Sequence, residues 1–236
     1  MRKIFLYGLT TILVLGVALG ADGAQWNIPS RDREILIDGF TSEWAGVPTF
    51  QITPERKDLR SGGTFKEGDV ALSIQALWDE QYLYLALRWS DDVWDIKEVG
   101  RKDAVWVDSE GKRRDRMYFY DNLKFHIRAS DYDYTLWLSP RVNEEGPFVW
   151  ARLLEGYKGM ERATATPMVS SREQNDGSVT MEVMLLWKEL RLKPGDDFSM
   201  PLTLVLSDGD HPGRMLDYKV EFLKWLGWVG KLTTPE

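Results

Sequence analysis

The stretch Ala71–Asp92, ALSIQALWDEQYLYLALRWSDD, decides the fold. Its apolar residues fall at every second position twice over: Leu72, Ile74, Ala76 and Trp78, then Leu83, Leu85, Leu87 and Trp89. Ser73, Gln75, Tyr82, Tyr84 and Arg88 take the opposite phase. Successive side chains of a strand point to opposite sides, so a period of two marks a strand with one face in a core. Asp79-Glu80-Gln81 has the length of a hairpin connection, and the two runs read as antiparallel neighbours.

The same alternation returns downstream. In DNLKFHI (121–127) Leu123, Phe125 and Ile127 point inward, with Lys124 and His126 outward. YDYTLWL (132–138), VTMEVMLLW (179–187), LTLVLS (202–207) and LDYKVEFLKW (216–225) follow. Only WKELRL, from Trp187, has the composition of a helical turn before Pro194-Gly195. About eight to ten short strands separated by turn signals predict an all-β chain, a single antiparallel β-sandwich of jelly-roll-like type. Asp95–Arg116 is the longest unpatterned piece and reads as a functional loop.

Composition narrows the classes. Arg2 and Lys3 precede an uncharged, mostly apolar run from Ile4 to Gly20, and small residues follow in ALGADGA. This is the pattern of a cleaved signal peptide over residues 1–24, leaving one domain over 25–236 that is secreted or periplasmic. At 17 residues the run is marginal against the roughly 20 a spanning helix needs, which leaves an uncleaved anchor as the alternative; no other stretch could span, so no membrane association is expected after cleavage. The net charge of −7 argues against nucleic acid and anionic membrane as partners. The basic cluster Lys112–Arg116 reads as a solvated loop. With no cysteine, disulfides, c-type haem attachment and iron–sulfur ligation are excluded. Two histidines argue against a multi-histidine zinc site.

Eleven tryptophans in 236 residues are well above ordinary usage. Trp78, Trp89 and Trp187 sit on inward phases and belong to the core, and Trp44 is expected to plug the sandwich edge. Trp94, Trp106, Tyr118, Tyr120, Trp150 and Trp228 lie in or beside expected loops. A flat ring on a rigid scaffold stacks on the C–H face of a sugar, while carboxylates, amides and arginines bond the hydroxyls. DGDHPG (208–213) offers Asp208 and Asp210 as weak calcium candidates. Pro212 at the fifth place and Lys219 at the twelfth depart from a calcium loop. There is no Gly-x-Ser-x-Gly, no His-Glu-x-x-His and no Gly-rich phosphate loop, so no enzyme is expected.

Five segments in order, ILIDGFTSEWAG, ALWDEQYLYLALRWSDD, YDNLKFHI, VTMEVMLLWKEL and LVLSDGDHPGRMLDYKVEFLKW, resemble family 9 carbohydrate-binding modules. The resemblance implies a β-sandwich that holds the ends of sugar chains between stacked aromatics, often with structural calcium. It puts Tyr118, just before Asp121, at the place of one stacking ring and Trp228 near the other; Trp94 and Trp106, as aromatics in or beside loops, stand in reserve. Arg214 matches a polar or basic position beside the ligand. An oligo- or polysaccharide is then the partner, and any catalysis belongs to a separate enzyme chain. The same sandwich is similar to that of haem b subunits of periplasmic molybdenum enzymes such as ethylbenzene dehydrogenase. There haem sits between a methionine and a lysine, which in this sequence proposes Met117 with Lys219 or Lys224.

Overall fold

The computed structural model describes residues 28–56, 67–92, 94, 105–107, 113–115, 121–129, 132–140, 147–155, 160–162, 167–190, 198–209 and 219–230. The expected signal segment, Tyr118, Met117, Asp210 and Arg214 lie outside them. Among the described residues the chain forms a single 3-10 turn, Ser42–Trp44, and thirteen strands. These are β1 (Thr49–Ile52), β2 (Val70–Trp78), β3 (Tyr82–Asp91), β4 (Val105–Val107), β5 (Arg113–Asp115), β6 (Asn122–Ala129) and β7 (Tyr132–Ser139). They continue with β8 (Phe148–Glu155), β9 (Met160–Arg162), β10 (Met168–Glu173), β11 (Val179–Leu186), β12 (Phe198–Gly209) and β13 (Lys219–Gly230). None of the described helical segments is long and apolar enough to cross a membrane.

One sheet has the order β1-β2-β3-β11-β10 and the other β13-β12-β6-β7-β8-β9. Every ladder is antiparallel, as the alternation requires; the β2–β3 hairpin pairs Val70 with Asp91 and Trp78 with Leu83. The inward residues of both sheets meet in one core. Leu72, Ile74, Leu83, Leu85, Leu87, Trp89, Val179, Met181, Val183 and Leu185 come from the first sheet. Leu123, Phe125, Ile127, Tyr134, Leu136, Leu138, Leu204 and Leu206 come from the second. Each large side chain so buried contributes about 1.5–3 kcal/mol. Lys124 and His126 face out, with Thr135 Oγ1 3.1 Å from His126 Nδ1 and Lys124 Nζ 4.6 Å from the Trp137 ring centre.

The strand count exceeds the expected eight to ten because short or polar strands escaped the pattern. Asp95–Arg116 is not one unbroken loop: β4 and β5 pair within it, Trp106 opposite Arg114. Trp150 and Trp228 stand in β8 and β13 instead of loops, opposite Trp137 and Met200. Asp208 and Gly209, expected in a turn, are strand residues paired with Val220 and Lys219. Leu190 N–H donates to Leu186 O at 3.2 Å, so the one turn of WKEL forms as composition predicts.

The outer face of the first sheet carries a second apolar cluster: Ile35, Trp44, Val47, Leu77, Tyr84 and Ala86. Trp44 therefore covers a sheet face, where the sequence had placed it at the sandwich edge. It arrives there on an N-terminal strap. Arg31 N–H donates to Trp78 O at 2.7 Å, and the Trp78 indole N–H donates to Ile28 O at 3.0 Å. Further along, Gln75 Nε2 donates to Trp44 O and Val47 O at 3.1 and 2.8 Å. Gly39 (φ 86°) passes so close to β10 that a Cβ there would lie 3.1 Å from Arg172 Cβ.

Candidate functional site

Asn175-Asp176-Gly177 joins β10 to β11. Gly177 N–H donates to Gln174 O at 3.0 Å and Gln174 N–H to Ser178 O at 2.8 Å. Gly177 takes φ 80°, the left-handed place that closes a three-residue hairpin loop and that glycine occupies at least cost. The Asp176 carboxylate organises the turn. Its Oδ1 accepts Ser178 Oγ–H at 2.6 Å and Ser178 N–H at 3.2 Å. Its Oδ2 accepts Arg88 Nη2 at 2.5 Å, and Arg88 Nε donates to Ser178 Oγ at 3.1 Å. The two Ser178 bonds and then the Arg88 guanidinium hold the Asp176 carboxyl down to about 2.

Trp94 closes on this turn from the far end of β3. Its indole N–H donates to Gly177 O at 3.1 Å. Its ring stands edge-on to Trp89 at 5.4 Å between centres and 64° between planes. Trp89 is fully buried, so one ring is a fixed wall for the other. Trp94 remains partly exposed, and the Arg88 and Asp176 side chains are 54% and 57% exposed. An oriented indole, a guanidinium and an ionised carboxylate thus share one corner of the sandwich. The indole offers a surface for an apolar C–H face, and the two charged groups offer hydrogen bonds to hydroxyls.

The other candidates are scattered. Trp106 lies in β4 and Trp228 in β13, Lys219 and Lys224 are both in β13, and Asp208 is in β12. Position 224 pairs with Leu204, which pairs with Phe125, and Phe125 pairs with Leu136. In the same backbone register position 219 pairs with Gly209.

One acidic group had no sequence signal. Asp38, Glu43 and Glu182 bring carboxylate oxygens within 4.8 Å of one another on the outer face. Glu182 is fully buried. Its Oε2 accepts the N–H groups of Asp38 and Gly39 at 2.9 and 2.7 Å, and its Oε1 accepts the Trp44 indole N–H at 2.7 Å. Burial pushes the Glu182 carboxyl above its ordinary value, and the three donors pull it only part of the way back. Glu43 Oε2 accepts Ser42 Oγ–H, and Asp38 Oδ1 accepts Phe40 N–H. Both Glu182 oxygens are thus engaged by N–H donors, which makes this carboxylate a clasp for the strap.

No protein-family model matches the chain, and no curated protein matches it in sequence. Solved structures do match in three dimensions. One is a carbohydrate binding module family 9 from Caldicellulosiruptor kristjanssonii in complex with glucose. It is 11% identical, with a TM-score of 0.54 over 90% of this chain and 98% of that one. Another, a family 9 module from the same organism in complex with cellotriose, is 12% identical, with a TM-score of 0.49 over 89% and 99%. At such identity the likeness is one of fold: this chain has the β-sandwich architecture of a family 9 carbohydrate-binding module.

Proposed function

We propose that this chain is an exported, non-catalytic module that binds a neutral oligo- or polysaccharide by aromatic stacking. The observation that supports it most directly is the Trp94 corner, an indole held at a fixed angle beside Arg88 and Asp176 on a sandwich of this fold. Tyr118 and Trp228 supply the principal stacking rings, Trp94 and Trp106 further contacts, and Arg214 a hydroxyl partner. Structural calcium at Asp208 and Asp210 belongs to the same reading, as does a separate enzyme chain that the module accompanies.

The test is a titration of the full chain with glucose and its short oligomers, followed by tryptophan emission. Saturable quenching is expected. Tyr118→Ala, Trp228→Ala and Trp94→Ala should each weaken binding about tenfold, the loss of roughly 1.4 kcal/mol of ring contact. Affinity unchanged in all three variants, or emission indifferent to every neutral oligosaccharide, removes the reading.

A second reading starts from the backbone register, which pairs position 224 with Leu204, a buried residue of the core. A haem b held between the sheets would take Lys224 as one axial ligand; Met117, its proposed partner, lies outside the described residues. Haem would give the chain an electron-transfer role beside a molybdenum oxidoreductase. A Soret band on addition of hemin that Lys224→Ala abolishes would support that role, and a featureless spectrum would end it.

A further inference from the structure

We propose that Asp176–Gly177 is a latent site of backbone isomerisation, held closed by Arg88 and Ser178, and that its opening releases Trp94. The chemistry is intrinsic to the dipeptide. The Gly177 nitrogen attacks Asp176 Cγ, a C–N bond forms, and the carboxyl hydroxyl leaves with the amide proton as water, giving a five-membered succinimide. Water then adds to one of the two ring carbonyls. Opening at Cγ restores aspartate, and opening at the α-carbonyl leaves isoaspartate, with the main chain running through the side-chain carbon. No oxidant or cofactor enters. Glycine is the follower that permits this most readily, because no Cβ shields its nitrogen.

The turn is solvent-exposed over residues 175–177, so water is at hand. Three features oppose the first step. Attack requires a neutral carboxyl, and Asp176 is held ionised by its Ser178 and Arg88 partners. It requires rotation of Cγ toward the Gly177 nitrogen, and both carboxylate oxygens are tethered, one by Arg88 at 2.5 Å and one by Ser178 at 2.6 Å. It also requires a free amide, and Gly177 N–H is committed to Gln174 O at 3.0 Å. Isomerisation would insert one carbon into the main chain next to Gly177, whose carbonyl is the acceptor that fixes Trp94. Lesion and loss of the aromatic corner are therefore one event. This inference rests on the turn itself and stands whether or not the corner binds a sugar.

The full chain is incubated near neutral pH with mild warming, folded and in urea. Peptide mapping then follows the succinimide, one water lighter, and isoaspartate by enzymatic methylation. The folded wild type should isomerise at least about tenfold more slowly than the denatured chain. Arg88→Ala should speed the folded reaction roughly two- to fivefold, the range set by losing an exposed ion pair. Arg88→Lys should fall between, and Ser178→Ala should add to Arg88→Ala. Tryptophan emission should change in step with the isoaspartate fraction. A folded wild type as fast as the denatured chain, or variants all at the wild-type rate, would overturn the proposal.

Discussion

Replacing Glu182 with alanine should be the most damaging single change to the outer face. The substitution strips the acceptor from Asp38 N–H, Gly39 N–H and the Trp44 indole, which lie 2.9, 2.7 and 2.7 Å from it. A buried donor left without a partner costs about 1–3 kcal/mol. Removing a buried charge returns part of the sum, so a net loss of about 3–5 kcal/mol is expected, a large share of the roughly 5–15 kcal/mol that holds a typical domain together. For a chain of this size that lowers Tm by roughly 6–20 °C. The assay is thermal and urea unfolding by circular dichroism near neutral pH, with Trp44→Phe as the partner variant. Trp44→Phe removes one donor and keeps most of the buried area, for a loss of about 1–2 kcal/mol. If the clasp is real, the double variant should lose less than the sum, by about 1 kcal/mol or more. A Glu182→Ala midpoint within about 2 °C of the wild type, or strict additivity, would refute the assignment.

Three further outcomes can be stated. Gly39→Ala should destabilise by about 1–3 kcal/mol, because it forces a side chain onto φ 86° and into Arg172 Cβ; an unchanged Tm would show that the strap can lift away. Asp79 accepts Gln81 N–H, Tyr82 N–H and the Tyr84 hydroxyl and pairs with Arg31, and these outweigh the opposing effect of burial to hold its carboxyl below the ordinary 3.8. Burial, then the Asp79 carboxylate, pushes Tyr84 up to about 12. The stability from Asp79 is thus present above 3.8 and is lost as pH falls through its lowered value. That from Tyr84 is present below 10.0 and is lost as pH rises through about 12, so Tyr84→Phe should flatten the alkaline limb of a Tm–pH profile while leaving a broad neutral plateau. Calcium at Asp208 and Asp210 should raise Tm on addition and lower it on chelation, by about 2.7 kcal/mol of stability at a hundredfold excess over Kd; a Tm indifferent to both removes calcium from the reading.

The pairs that a local pattern can encode were legible. The β2–β3 hairpin and the inward phases of β6, β7, β11 and β12 follow from alternation alone, because each has one face in the core. The strand β10 was not, since Met168–Glu173 is an edge strand with its residues exposed or half-buried and carries little hydrophobic contrast. Its best signal was the Asn-Asp-Gly that follows, a hairpin turn set directly before VTMEV. Glu182 takes the outward phase of its strand, opposite to the core residues Met181 and Val183. It is buried because a strap from 138 residues away lies over it, and no local pattern records such a cover. Trp94 was identifiable as an aromatic beyond a strand end, but the turn that fixes it lies 83 residues on.

The strap also determines how this module can be mounted. Its first described residue, Ile28, is tied to Trp78 at the end where β2 turns into β3. The Trp94 corner lies beyond the other end of β3, ten residues away along an extended strand. At about 3.4 Å per residue the two are separated by roughly 30 Å. A fusion partner, a bead or an anchoring segment attached ahead of Ile28 would therefore sit on the opposite pole from the aromatic corner. The corner would point away from whatever carries the chain, the orientation that immobilised display on a surface requires.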